Sequence, residues 1–184
     1  MFGVLSATAL TAGSLIGAGI ASDTPAQCQY RYAADGQLLP DPLCTPGGIN
    51  PGVTQDTIDS TICVSGYTKK IRPSVAVTNK LKAISRLDYG WTGDMRAAEF
   101  DHLISLELGG APTSISNLWF EPGPVPNPKD AVEHKLHALV CSHQVSLAAA
   151  QAAIASDWTT AVQVVSAKAF DGVDSTAERD PDDK

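Results

Sequence analysis

The chain has 184 residues, of which 43% are hydrophobic and 18% are charged. It is long enough to bury one sizeable core and short for two full domains. Glycine and proline are too few and too scattered for a collagen-like or low-complexity protein. The net charge of −7 argues against a surface that is basic throughout.

The charge is unevenly distributed along the chain. The last 14 residues carry −4 of it, whereas residues 67–96 are basic. The basic residues of this segment outnumber its two acids, and they are Lys69, Lys70, Arg72, Lys80, Lys82, Arg86 and Arg96. A basic face can therefore lie on an acidic molecule.

The N-terminus, residues 1–21, predicts a secretory signal peptide. No charged residue precedes Asp23, and the stretch from Val4 ends in the small residues Gly19-Ile20-Ala21. A membrane anchor is the alternative, but serine, threonine and glycine dilute this stretch. We therefore expect a secreted or periplasmic protein.

The cysteine content fits export to an oxidising compartment. The four cysteines contain no C-x-x-C pair, so disulfides are favoured over a zinc ribbon. Three pairings are open, and we favour a local Cys28–Cys44 loop with a long-range Cys63–Cys141 bond.

The first half of the mature chain predicts a loop and a helix. Residues 22–52 are rich in turn formers and predict an extended, loop-rich segment. A helix is predicted from Val77 to Gly90, because apolar residues recur at spacings of three: Leu81, Ile84 and Leu87.

A hairpin and two helices are predicted in the second half. Residues 100–106 and 117–120 read as strands around the turn at Gly109-Gly110. After a proline-rich loop, Asn127-Pro128 begins a helix that runs to about Cys141, and Ser146 caps a second helix to about Trp158. Residues 171–184 are acidic and predict a solvated, mobile tail.

Several side chains that suit metal-assisted hydrolysis lie in this second half. Asp101 and His102 end the first strand, and Asn117 opens the second. On the helix, Glu133 and His137 lie one turn apart beside the apolar stripe, so one metal ion could contact both. Asp101 could complete that shell, leaving the neighbouring His102 free to take a proton from water.

These residues resemble a known family. The run Asp101-His102-Leu-Ile-Ser-Leu-Glu-Leu-Gly109-Gly110, followed by Asn117-Leu118-Trp119, is similar to the HNH (ββα-metal) endonuclease motif. More loosely, residues 45–158 resemble a group of secreted, HNH-like bacterial proteins. The resemblance implies an α+β fold, with a small ββα-metal (HNH-like) core over residues 53–170, additional helices and stapling disulfides.

The resemblance also implies a role for each residue. Asp101 is a metal ligand, His102 is the general base, Asn117 orients His102 and pins the hairpin, and His137 with Glu133 completes the metal site. The chain departs from the family in its inserted proline-rich loop and its lack of zinc-holding cysteine pairs. Glu133 also stands where colicin-type nucleases place a second histidine.

The expected activity is metal-dependent endonuclease hydrolysis of DNA, with RNA as a second substrate class. Oxygen-rich ligation favours one Mg²⁺ or Mn²⁺ ion over Zn²⁺. The substrate phosphates need cationic partners, which the basic segment supplies as Lys69, Lys70, Arg72 and Arg96.

Two other functions compete with this one: a catalytically silent HNH-like module that binds nucleic acid or an envelope partner, and a purely structural disulfide-stapled domain. Each residue also has a simpler interpretation. Glu133 pairs with Lys129 to support the helix, Asn117 caps a turn, and Asp130 is an ordinary acid at a helix N-terminus. The basic segment is then a solvated face.

Overall fold

Two short hairpins and five α-helices make up the part of the chain that the computed structural model describes, residues 27–174. The structure is mixed α+β, and it contains two disulfides, Cys28–Cys44 and Cys63–Cys141. The favoured cysteine pairing is therefore confirmed. The predicted signal peptide, residues 1–21, lies outside the described residues, as does the acidic end from residue 175.

The segment predicted to be loop-rich contains a small hairpin, in which β1 (Arg31–Tyr32) pairs with β2 (Leu38–Leu39). The turn between them uses Gly36, whose φ of +86° suits glycine. Cys28 and Leu39 are buried, so this segment contributes to the core although most of it is irregular.

The basic segment forms α1 (Tyr67–Ile71) and α2 (Val75–Asp88). The predicted helix is present, but its predicted apolar stripe is not the buried face. Ile84 and Leu87 are 48% and 76% exposed, and Ser85 is the buried residue. The reason is that α2 packs against the second hairpin partly through the long side chain of Lys82, which lies over the Phe120 ring.

The second hairpin consists of β3 (Ala98–His102) and β4 (Leu118–Pro122), which pair antiparallel. The first strand begins and ends earlier than predicted, because Leu103–Ser105 turn away from the ladder and lead into a 3₁₀ turn at Leu106–Leu108. Opposite residues share a face, so Glu99, Asp101 and Glu121 lie on one side and Phe100, His102 and Leu118 on the other.

Three helices complete the fold: α3 (Lys129–Cys141), α4 (Leu147–Ser156) and α5 (Ala161–Asp174). Leu136 and Val140 of α3 are fully buried, as the predicted stripe requires, and the Ser146 hydroxyl caps α4 by accepting a bond from Ala149 N–H. The helix α5 was not predicted. It buries Ala161 and Val165 one turn apart, and it extends through the first four residues of the predicted tail.

Within residues 27–174, no helix is both long enough and apolar enough to span a membrane. The two disulfides are compatible with an extracellular or periplasmic protein.

Candidate functional site

Asn117 holds the loop of the β3–β4 hairpin in place. Its side chain is fully buried, and its amide oxygen accepts from Ile104 N–H at 2.9 Å. Its amide nitrogen donates to the carbonyl oxygens of Ile104 and Ala111. A Cβ at Gly110 would overlap the Ile104 carbonyl oxygen, so this close packing requires glycine. These contacts match the predicted pinning role, and none of them is with His102.

His102 is held by a different partner. Its Nε2 lies 3.0 Å from the carbonyl oxygen of Pro112. A carbonyl oxygen only accepts, so Nε2 carries the proton and the neutral ring keeps its lone pair on Nδ1. Burial lowers the pKa of His102 below its ordinary value of 6.5, so the ring is uncharged near neutral pH. A neutral imidazole with a fixed tautomer is suited to accept a proton.

His102 lines a cleft of about 310 Å³ between the hairpin and α2. Two cations, Arg72 and Lys82, lie in the same cleft, together with the polar side chains of Thr78 and Asn79. Two positive charges beside a neutral base form a suitable environment for a phosphate group.

Of the four residues predicted to bind phosphate, one lines the cleft and three lie outside it. Arg72 lines the cleft with His102. Lys69 and Lys70 are exposed on α1, and neither of them lines this cleft. The Arg96 side chain is 92% exposed and pairs with Asp94. The cleft thus uses Arg72 from the predicted set.

The opposite face of the hairpin carries Asp101, and its partner there is a lysine. Lys129, the first residue of α3, is fully buried. Its Nζ donates to Asp101 Oδ2 at 2.7 Å, to the carbonyl oxygen of His102 at 2.8 Å and to Glu133 Oε1. Burial by itself lowers the pKa of Lys129, but the Asp101 and Glu133 carboxylates outweigh it and raise that pKa above its usual range.

Two more acids and an amide surround this lysine. Glu121 is 5% exposed, and burial followed by the Asp101 charge raises its pKa to about 9, so it is protonated at neutral pH. The amide nitrogen of Asn127 donates to Glu99 at 3.1 Å and to Glu121 at 3.3 Å. Its amide oxygen accepts from Lys129 N–H, in keeping with the predicted capping role of Asn127.

The predicted metal ligands do not converge. Asp101 and Glu133 meet at the Lys129 ammonium, which corresponds to the simpler interpretation of Glu133. His137 instead places its Nε2 3.0 Å from the carbonyl oxygen of Ile62 and 3.3 Å from Cys141 Sγ. Its backbone lies one turn beyond Glu133, and its ring turns toward the Cys63–Cys141 disulfide.

Among residues 27–174, the one compact group of potential ligands is Cys63, His137 and Cys141. The two sulfur atoms of this group are bonded to each other and offer no thiolate. The predicted Asp101, Glu133 and His137 set therefore does not fit a single divalent ion in this structure.

Two residues were not among the predicted site residues: Lys82, which lines the cleft, and Lys129, which was considered only as a partner of Glu133. Lys82 belongs to the basic segment, but a spacing pattern does not say which cation faces the hairpin. For Lys129 a signal was present. At 100° per residue it falls about 60° from Val132, between Leu136 and Val140, which places it inside the buried stripe of α3.

Comparison of the chain with protein-family models, with curated proteins and with solved structures finds no match.

Proposed function

We propose that the protein hydrolyses phosphodiester bonds of DNA, with RNA as a second substrate class, and that His102 is the general base. The observation that carries this proposal is the state of His102 in its cleft. The ring is neutral, its Nε2–H is engaged by Pro112, and it shares the cleft with Arg72 and Lys82. The resemblance to HNH endonucleases adds support from the sequence.

The proposed chemistry assigns roles to three of the cleft residues, His102, Arg72 and Lys82. A water molecule attacks the phosphorus and gives its proton to Nδ1 of His102 as the new P–O bond forms. The bond from phosphorus to the leaving 3′-oxygen breaks, and that oxygen takes a proton from solvent. Arg72 and Lys82 stabilise the negative charge that develops on the phosphate oxygens.

The family resemblance implies one Mg²⁺ or Mn²⁺ ion, which as a Lewis acid would stabilise charge on the phosphate and the leaving oxygen. The residues predicted to hold it meet around Lys129 instead, so no step above depends on it. We propose that the activity belongs to a secreted or periplasmic protein, on the support of the two disulfides.

The test compares nicking of supercoiled plasmid by the wild type and by His102→Ala. Metal-stripped, oxidised protein is assayed in EDTA, in Mg²⁺ and in Mn²⁺. We expect His102→Ala to lose at least about 100-fold in rate, because general-base catalysis contributes that much. The matched control is His134→Ala, whose imidazole is exposed and pairs with Glu107, and it should cut at the wild-type rate. Wild-type cutting by His102→Ala would contradict the proposal.

A catalytically silent nucleic-acid-binding module is the second candidate. It is favoured by one observation, that the lysine ammonium already holds the two carboxylates expected to bind a catalytic ion. Salt-dependent DNA binding without cleavage in all three conditions would select it. Folded protein that neither binds nor cuts nucleic acid would point to the structural domain.

A further inference from the structure

The cluster around Lys129 has the form of an occupied cation site. Three oxygens, from Asp101, Glu133 and the His102 carbonyl, converge on one nitrogen atom. An ammonium group has three N–H donors, and each of them has a partner here. The lysine is fully buried, so its charge is balanced by these oxygens and not by solvent.

A divalent ion held by Asp101 and Glu133 would lie between the same carboxylate oxygens that now hold Nζ. The two cations cannot occupy that position together, since both need direct contact with those oxygens. We infer that Lys129 supplies the cation of this site from the chain itself, so that the Asp101–Glu133 pair binds neither Mg²⁺ nor Mn²⁺.

Lys129 has a second consequence for the hairpin. Its Nζ donates to the His102 carbonyl oxygen and to Asp101, and these bonds connect the end of β3 to the start of α3. The bond from Nζ to Glu133 lies within α3 itself. The backbone beneath the His102 ring is therefore fixed from the face opposite the cleft. Lys129 thus contacts the backbone of His102 and does not line the cleft.

The test measures Mn²⁺ binding by titration calorimetry to metal-stripped protein without nucleic acid. Wild type and Asp101→Asn are compared first, so that any Mn²⁺ bound by other carboxylates contributes equally to both isotherms. We expect the two isotherms to coincide. A one-to-one Mn²⁺ site in the wild type that Asp101→Asn abolishes would overturn the inference.

The second arm removes the ammonium with Lys129→Gln, which leaves the carboxylates facing each other. We expect this variant to gain a one-to-one Mn²⁺ site that the wild type lacks, because the metal then replaces the missing cation. If the variant is unfolded in EDTA, refolding in Mn²⁺ should restore its circular dichroism. If Lys129→Gln gains neither Mn²⁺ binding nor Mn²⁺-dependent folding, the inference that Lys129 occupies a cation site is refuted.

The conservative variant Lys129→Arg keeps the charge and should bind no Mn²⁺ at this site. Because none of these titrations contains substrate, this inference can fail while the role of His102 stands. Likewise, if His102→Ala cuts plasmid at the wild-type rate, the outcome of the Mn²⁺ titrations is unaffected.

Discussion

Adjacent side chains of a β-strand project to opposite faces, and this alternation separates Asp101 from His102. His102 meets the cations of the cleft, whereas Asp101 meets Lys129. The two faces of the hairpin therefore differ in how their positive charges are balanced. Positive charge on the cleft face is available to a ligand, and positive charge on the other face is neutralised within the protein.

The two cleft cations should contribute to nucleic-acid affinity through counterion release. Arg72→Ala and Lys82→Ala are each expected to weaken DNA binding and to reduce the slope of log affinity against log salt by about 1. The check is a set of fluorescence anisotropy titrations at several salt concentrations. Lys135→Ala, on the exposed side of α3, is the matched control and should keep the wild-type slope. Unchanged slopes for both cleft variants would remove the cleft from the binding surface.

At the scale of elements, the hairpin and α3 form one unit held by polar contacts. Asn117 fixes the hairpin loop, Lys129 joins β3 to α3, and His134 joins α3 to the Leu106–Leu108 turn through Glu107 at 2.6 Å. Side chains that bond to backbone groups of another segment define the geometry of that segment closely. Within this unit, the contact that reaches His102 is the one from Lys129, which donates to the His102 carbonyl oxygen, whereas the exposed His134 pair does not contact His102.

Removal of the Asn117 side chain should destabilise the protein. Asn117→Ala leaves buried backbone groups of Ile104 and Ala111 without partners, and we expect a loss of at least about 2 kcal/mol in the free energy of unfolding. Urea denaturation measures it. The control is Asn79→Ala, whose side chain lies exposed in the open cleft and should change stability little. Equal stabilities of the two variants would show that the pinning contacts contribute nothing.

The His134–Glu107 pair should add a pH-dependent contribution to stability. The bond to Glu107 and its charge raise the pKa of His134 above 6.5. Because the folded pKa is above the unfolded one, the contribution is complete below about pH 6.5 and is lost as the pH rises through the folded pKa. The difference in unfolding free energy between wild type and His134→Ala should therefore be larger at about pH 5.5 than at about pH 8.5. A difference independent of pH would exclude this linkage.

At the scale of the whole molecule, the disulfides close loops of very different length. Cys28–Cys44 spans 16 residues near the N-terminus, whereas Cys63–Cys141 spans 78 and joins the end of α3 to the segment before α1. The longer loop encloses α2 and both strands of the second hairpin. That bond therefore restricts a much longer stretch of the unfolded chain than Cys28–Cys44 does.

Loop entropy predicts which disulfide contributes more to stability. Restriction of the unfolded chain is worth about 4.5 kcal/mol for the 78-residue loop and about 3.1 kcal/mol for the 16-residue loop. The double variant Cys63→Ala/Cys141→Ala should therefore unfold at lower urea concentration than Cys28→Ala/Cys44→Ala. The reverse order would show that native packing around the short loop dominates.

Local patterns were sufficient for much of the secondary structure. The hairpin around Gly109-Gly110, the buried stripe of α3 and the Ser146 cap all follow from spacing and turn chemistry between neighbouring residues. No element was predicted between Trp158 and Phe170, where most of α5 lies. Its buried residues Ala161 and Val165 make it a core element.

The sequence alone determined that Asp101 and His102 adjoin near the end of a strand and that Glu133 and His137 lie one turn apart on a helix, because both depend on short-range spacing. It favoured one of three cysteine pairings, and the family resemblance implied the α+β class. Only the tertiary structure decided which groups meet. The rotation of α3 brought Lys129 to Asp101 and turned His137 toward the disulfide. The packing of α2 on β4 placed Lys82 in the cleft that His102 lines, and Arg72, at the end of α1, lines the same cleft. Such meetings depend on how separate elements pack, and the separation of residues along a chain does not specify the rotation of one element against another.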